Sequence, residues 1–231
     1  MKDNIVFITA IDTDAGKTFA TGVLAKQYKD QGINVITQKL SQTGCVGISE
    51  DILKHRELMD IPVQEVDKSG LTCPYVFTFP ASPHLAAEMD GFEIDPKKIT
   101  QSTEELSDQY ELVLVEGVGG LHVPITRDLS LLDYLEERKY PLILVSSAKL
   151  GSVNHTLMSL ELAKTRGIEV IGIIYNRHPE SPEPIAKDSK RIFADYLKRF
   201  GFENAFIADL PIIESGEDLR ISNLPLASEL V

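Results

Sequence analysis

Ile5-Val6-Phe7-Ile8-Thr9-Ala10-Ile11-Asp12-Thr13-Asp14-Ala15-Gly16-Lys17-Thr18 joins a short apolar run to the start of a helical pattern. A strand that turns through a Gly-Lys-Thr segment into a helix is the arrangement of a phosphate-binding loop. In such a loop backbone N–H groups, including those of Asp14, Ala15 and Gly16, point at a polyphosphate. Lys17 then reaches the β- and γ-phosphates, and the Thr18 hydroxyl takes a Mg²⁺ position. The expected ligand is therefore a nucleoside triphosphate. The usual spacing, G-x-x-x-x-G-K-[ST], is not met in full, because Ile11 stands at the first glycine position with Ala10 before it. A Gly-Lys-Thr tripeptide alone also suits an ordinary helix start, and the flanking strand and helix are what favour phosphate.

Outward from that loop, apolar runs rich in β-branched residues recur at Ile5–Thr9, Ile33–Thr37, Leu112–Val115, Leu142–Ser146 and Val170–Tyr175, with a weaker one at Ala205–Ala208. Helical spacing falls between them and predicts helices over Thr18–Gln31, Asp51–Met59, Asp95–Gln109, Ser130–Arg138, Ser152–Thr165 and Ile185–Phe200. Such an alternation predicts an α/β fold of the P-loop NTPase type, a mostly parallel sheet with helices on both faces and function at the carboxyl ends of its strands. Gly70 to Pro83 reads as an ordered loop in which Tyr75, Phe77 and Phe79 alternate with Val76 and Thr78 as a short strand would. Those aromatic rings suit core packing or the wall of a pocket. Pro179–Pro184 reads as a surface loop leading into a helix, and the tail beyond Pro211 has little periodicity.

With no repeat, low-complexity segment or clear linker, the 231 residues suit one domain spanning 1–231. Charged residues make up 25% and hydrophobic ones 43%, an ordinary globular balance. No run approaches the ~18 apolar residues of a membrane span. Met1-Lys2-Asp3-Asn4 leads straight into the first strand pattern, leaving no room for a signal peptide, so a cytoplasmic protein is expected. A formal net charge of −12 disfavours nucleic acid and anionic membrane as partners, since both reward clustered Lys and Arg. Cys45 and Cys73 lack metal-ligand spacing and read as free thiols, while His84, His122 and His155 are scattered and read as structural.

A second informative stretch, Leu112-Val113-Leu114-Val115-Glu116-Gly117-Val118-Gly119-Gly120, is a buried strand ending in a carboxylate and a glycine-rich turn. Glu116 thereby lies at a strand's carboxyl end, where a phosphate-loop protein commonly carries an acid for Mg²⁺, with glycines that admit a phosphate. Lys39 follows the strand pattern through Gln38 and projects from the same edge, either as a solvated lysine or as a partner of the transferring phosphate. Asp51, at the head of a helix pattern, suits either a helix cap or a metal ligand.

Together these residues resemble the ATP-dependent dethiobiotin synthetases of biotin biosynthesis. Asp12-Thr13-Asp14-Ala15-Gly16-Lys17-Thr18 is similar to that family's D-T-[ED]-x-G-K-T loop. Gln38-Lys39 with Thr43-Gly44, Pro74-Tyr75, Ser82-Pro83-His84, Val115 to Gly120, Lys149-Leu150-Gly151 and Asn154-His155 resemble further family signatures. The resemblance covers nearly the whole chain. It implies closure of a cyclic urea on 7,8-diaminopelargonic acid, using CO₂ and MgATP, through a carbamate and a carbamic–phosphoric anhydride.

By the same resemblance Lys17 and Lys39 are the catalytic cations, and Thr18, Asp51 and Glu116 hold Mg²⁺. ATP is bordered by Asp14 to Thr18, Asp51, Glu116, Gly117, Val118 and Gly119, and its base by Asn176, Arg177, Leu210 and Pro211. The diamine is bordered by Thr13, Thr43, Ser82 and Val118, with Lys149, Leu150, Gly151 and Asn154 contributed by a second subunit, implying a homodimer with its active site at the subunit interface. Asp14 replaces a frequent glutamate and Arg177 a frequent aspartate, which leaves nucleotide preference open. Amidating synthetases that act on cobyrinic acid are an alternative, but they add a glutamine-hydrolysing domain for which this chain is too short. Partitioning and septum-positioning ATPases place an extra lysine where Asp12, Thr13 and Asp14 stand, and the acidic Glu214, Glu217 and Asp218 offer no basic membrane helix.

Overall fold

The computed structural model describes residues 4–212 and 220–230, so Glu214, Glu217 and Asp218 lie outside the described residues. Its sheet contains β1 (Ile5–Ala10), β2 (Val35–Lys39), β3 (Leu112–Glu116), β4 (Leu142–Ser147), β5 (Val170–Asn176) and β6 (Phe206–Leu210), in the order β2-β3-β1-β4-β5-β6. Every pairing is parallel. The helices are α1 (Lys17–Asp30), α2 (Glu50–Met59), α3 (Glu65–Lys68), α4 (Pro83–Asp90), α5 (Pro96–Gln109), α6 (Leu131–Arg138), α7 (Ser152–Thr165) and α8 (Glu183–Phe200).

Alternation along each strand divides the apolar side chains between two cores. Ile5, Phe7, Val113, Val115, Leu142 and Leu144 pack on one face of the sheet, and Val6, Ile8, Leu112, Leu114, Ile143 and Val145 on the other. Both faces are thus covered, which is why the strands read as unbroken apolar runs. The chain leaves β1 for β2, returns to β3 between them, then crosses to β4 on the far side of β1. A crevice opens at the carboxyl ends where the crossovers change direction, beside β1 and β3.

Several boundaries differ from the sequence expectation, each for a nonlocal reason. β2 begins at Val35 rather than Ile33 because its partner β3 begins at Leu112, opposite Val35. It therefore runs on to Lys39, which lies opposite Glu116 and inside the strand rather than after it. Helix α4 was not apparent in the sequence, since its eight residues sit in a Pro-rich stretch too short to show a period. Tyr75 to Phe79 is not a strand. Gln42 N donates to Tyr75 O at 2.8 Å, Phe77 N donates to Gln42 O at 2.8 Å and Cys45 N donates to Phe77 O at 3.0 Å, but Gly44, with φ +70°, breaks the extended backbone between Gln42 and Cys45 and only the bridge Gln42–Val76 forms. Phe77 is buried, as core packing requires, whereas Phe79 is exposed.

Residues 220–230 fold back onto α1. Gln27 Nε2 donates to Ile221 O at 3.0 Å, Ile221 N donates to Gln27 Oε1 at 2.7 Å, and the Tyr28 hydroxyl donates to Pro225 O at 3.2 Å. Among the described residues no helix is long and apolar enough to cross a membrane.

Candidate active site

The segment after β1 tightens into a short 3₁₀ turn, Thr13–Ala15, held by Asp12, whose Oδ1 accepts from Thr13 N at 2.8 Å. Gly16 then adopts φ +94°, and a Cβ there would stand 2.3 Å from Asn176 Nδ2. Only glycine serves both demands, a left-handed backbone and a side chain pressed against it. Asn176, at the end of β5, donates from Nδ2 to Ala15 O at 3.0 Å and accepts His178 N on Oδ1 at 3.0 Å. It props the loop from behind.

Lys17 opens α1 and bends over the loop, donating to Asp12 O at 3.1 Å and Thr13 O at 3.3 Å. Burial, and after it the charge of Lys39, push its ammonium down to about 8. A cation so placed is poorly compensated by its own protein, an arrangement suited to an anionic ligand.

Beside it the ends of β2 and β3 and the first turn of α2 converge. Lys39 Nζ lies 2.6 Å from Asp51 Oδ2, 2.8 Å from Glu116 Oε1 and 3.1 Å from Gly117 O. Lys39 is only 6% exposed, which excludes the solvated-lysine alternative. Burial acts to lower its pKa, but the carboxylates of Glu116 and Asp51 outweigh it and hold the ammonium well above the ordinary lysine value. Burial likewise acts to raise Glu116, and Lys39 with His55 outweighs it and holds that carboxyl well below the usual range. Asp51 is not the cap of α2. Ser49 is, its hydroxyl accepting Ile52 N at 3.3 Å, and Gln42 Oε1 accepts both Ser49 Oγ at 2.7 Å and Asp51 N at 3.3 Å.

The Thr18 hydroxyl oxygen lies 3.1 Å from Asp51 Oδ1 and 3.2 Å from Glu116 Oε1. These three hard oxygen donors fit Mg²⁺, which takes one or two carboxylates from protein and completes its shell with phosphate and water. Among the described residues no group of three or more His, Cys, Asp or Glu side chains is placed to hold an ion unaided.

One cavity of about 600 Å³ joins these groups: Thr13, Asp14, Lys17, Thr18, Lys39, Thr43, Asp51, Ser82, Glu116, Val118 and Gly119 all line it. Ser41 lines it too, 1% exposed, its hydroxyl without a hydrogen-bond partner among the described residues. Sequence reading passed over Ser41, and its position two residues beyond Lys39 is the signal that could have found it. His55, which donates or accepts at 2.7 Å from Glu116 Oε2, was also passed over although it lies one helical turn from Asp51.

Other expected residues lie elsewhere. Arg177 pairs with Glu183 at 2.6 Å, and its N–H donates to Leu210 O at 2.9 Å, so Asn176, Arg177, Leu210 and Pro211 form a group behind the loop rather than inside the cavity. Lys149, Leu150, Gly151 and Asn154 are exposed at the start of α7 and do not line the cavity of their own chain. Both cysteines are free and buried, and burial pushes the Cys73 thiol up to about 12, far from nucleophilic.

The family model described as "AAA domain" matches residues 4–212. A Chlorobaculum tepidum protein described as "ATP-dependent dethiobiotin synthetase BioD" is 51% identical over 229 residues, which is 97% of this chain and 96% of that protein. A Pasteurella multocida protein described as "ATP-dependent dethiobiotin synthetase BioD 2" is 48% identical over 202 residues, 87% of this chain and 95% of that one. Among solved structures, a chain of the MinC:MinD cell division protein complex from Aquifex aeolicus overlays with a TM-score of 0.54 at 18% identity, covering 90% of this chain and 81% of that chain. The last likeness concerns the fold alone.

Proposed function

The chain belongs to the family of ATP-dependent dethiobiotin synthetases, and on that premise we propose how its residues close the cyclic urea of dethiobiotin on 7,8-diaminopelargonic acid. One amine of the diamine takes up CO₂ as a carbamate and loses a proton. A carbamate oxygen attacks the γ-phosphorus of ATP, the bond to the β–γ bridging oxygen breaks, and ADP leaves. The second amine then attacks the carbonyl carbon of the carbamic–phosphoric anhydride, the carbon–oxygen bond to phosphate breaks, and the amine's proton passes to the departing inorganic phosphate as the ring closes.

Phosphoryl transfer needs positioning and charge neutralisation more than covalent help. The observation that carries this reading is the convergence of Lys17, Lys39, Thr18, Asp51 and Glu116 on one cavity with hydroxyl-bearing walls. Lys17 neutralises the β- and γ-phosphates, and Lys39 turns from Asp51 and Glu116 to the carbamate and the transferring phosphoryl group. Thr18, Asp51 and Glu116 would hold Mg²⁺, which when bound supplies positive charge to the phosphates. Backbone N–H groups of Asp14 to Thr18 and of Val118 and Gly119 cradle phosphate oxygens, while Gly117, whose N–H is donated to Ile8 O at 2.9 Å, borders ATP without that contact. Asn176, Arg177, Leu210 and Pro211 border the base, while Thr13, Thr43, Ser82, Val118 and the Ser41 hydroxyl, which has no partner among the described residues, border the diamine. No general base is required, since the carbamate is already an anion.

The test is phosphate release from MgATP with and without the diamine and bicarbonate, with product mass read in parallel. Release that depends on the diamine and yields dethiobiotin is expected. Hydrolysis indifferent to the diamine, with no cyclised product, would overturn the reading.

The segment Lys149 to Asn154, exposed at Lys149, Leu150, Gly151 and Asn154, reaches a partner's cavity in a homodimer, where the N–H groups of Val153 and Asn154 in the first turn of α7 receive the remote carboxylate of the diamine. Leu150 is 98% exposed and Met158 55% exposed, the apolar surface such a contact covers. Leu150→Asp is expected to shift sedimentation to the monomer and raise KM for the diamine about tenfold; a monomeric wild type with full activity would refute this. A cytoplasmic setting, where ATP and reduced thiols coexist, fits both substrates and cysteines, and recovery of the enzyme outside the cytoplasmic fraction would count against it.

A further inference from the structure

Behind the cavity lies a buried polar chain that the reaction above does not use. Glu116, fully buried, has two oxygens with different company: Oε1 meets Lys39 and Thr18, while Oε2 meets His55 Nε2 at 2.7 Å. The other ring nitrogen of His55, Nδ1, lies 3.0 Å from Thr37 Oγ1. Thr37 Oγ1 also accepts from Arg56 Nη1 at 2.7 Å, and Arg56 is fixed to Asp67 by two bonds, Nε to Oδ2 at 2.9 Å and Nη2 to Oδ1 at 2.8 Å. Thr72 Oγ1 donates to Asp67 Oδ1 at 2.7 Å. His55 is 0% exposed, Arg56 1% and Asp67 4%.

A guanidinium can only donate. Thr37 Oγ1 is therefore an acceptor toward Arg56, and its single hydrogen is free to go to His55 Nδ1. That leaves the imidazole proton on Nε2, aimed at Glu116. We propose that His55 is a positioning residue for Glu116, set in its Nε2–H tautomer by the chain Asp67–Arg56–Thr37, so that Oε2 is occupied from behind and Oε1 alone faces the cavity. The proposal rests on the reading of Glu116 as a Mg²⁺ ligand. Its consequence is mechanical as well as electrostatic. When Lys39 turns to an anion, Glu116 keeps a buried donor and a fixed orientation, so the carboxylate neither swings after the lysine nor stands unpaired. Asp51 and His55 lie one turn apart on α2, and Thr37 and Lys39 two residues apart on β2, so the same two elements carry the working residues and their support.

Two readouts test it. In metal-free protein labelled with ¹⁵N-histidine, the His55 ring is expected to carry its proton on Nε2 with Nδ1 as acceptor; a ring with a proton on Nδ1, whether alone or together with one on Nε2, overturns the relay. With ADP present, Mn²⁺ affinity measured by electron paramagnetic resonance is expected to fall about 10- to 100-fold in His55→Leu. It should recover most of that loss in His55→Gln, whose amide can donate to Glu116. Equal affinity in wild type and His55→Leu overturns the proposal. If His55→Leu does not fold, Thr37→Val takes its place, with a loss of several-fold expected and no loss overturning. A wild type that takes up no Mn²⁺ overturns the metal role of Glu116 instead, a result told apart because the tautomer is read without metal.

Discussion

Lys17→Gln and Lys39→Gln each lower single-turnover phosphate release by about 10²- to 10³-fold, the cost of removing one preorganised charge from a phosphoryl-transfer site, yet they move thermal stability in opposite directions. In the nucleotide-free protein Lys17 is held down to about 8 by burial and by the charge of Lys39, so its ammonium opposes folding. Removing it leaves the melting temperature unchanged or higher. Lys39 is held up by Glu116 and Asp51, and its removal strands two carboxylates, one fully buried. Its melting temperature falls. Single-turnover assays with melting curves on both variants check this, and retained turnover in both would sink the roles given to the two lysines.

Arg56→Met lowers stability by about 3–5 kcal/mol, the usual cost of removing one partner from a buried pair, or roughly 8–15 °C in melting temperature for a chain of this size. Asp67 is left with Thr72 and the Gln64 N–H but without its counter-charge. The pH dependence has a definite sign. Burial alone would raise the Asp67 pKa, but hydrogen bonding and charge from Arg56 lead the effects that lower it, and the folded value lies below the ordinary carboxylate value. The stabilisation is therefore complete above about pH 4 and is lost as pH falls through the lower folded value. Denaturant titrations of wild type and Arg56→Met should show a gap that is constant above pH 5 and narrows below pH 4. A gap that widens on acidification would contradict the pairing.

What the sequence disclosed and what it concealed divide along the distance between interacting residues. The loop from Asp12 to Thr18, the strand before it and the helix after it are contiguous, and the local pattern reveals all three. Glu116 was legible for the same reason, as the last residue of an apolar run followed by glycines. The status of Lys39 was not, because it depends on a register with Glu116, 77 residues away, that no local spacing encodes. Arg56 is harder still. Mid-helix arginines are ordinarily solvated, and this one is buried only because the Asp67 carboxylate, the Thr37 hydroxyl and carbonyl and the Met59 sulfur supply its five N–H donors with acceptors. His55 offered a clue in its one-turn spacing from Asp51, but α2 carries charges on several sides and its inward face is set by packing on α1. The short Tyr75–Phe79 alternation misled because a strand needs a partner that stays extended, and the partner here bends at Gly44 after a single bridge.

The bonds from Ile221 and Pro225 to Gln27 and Tyr28 give residues 220–230 a role that the cavity alone does not reveal. A chain cut short of Ile221 keeps every residue that lines the catalytic cavity and loses three hydrogen bonds that brace the helix presenting Lys17 and Thr18. Those bonds join positions 194 and 197 residues apart, so they are among the most nonlocal contacts of α1. The segment thus ties the outer side of α1, and through it the loop that opens that helix, to residues almost at the other end of the described fold.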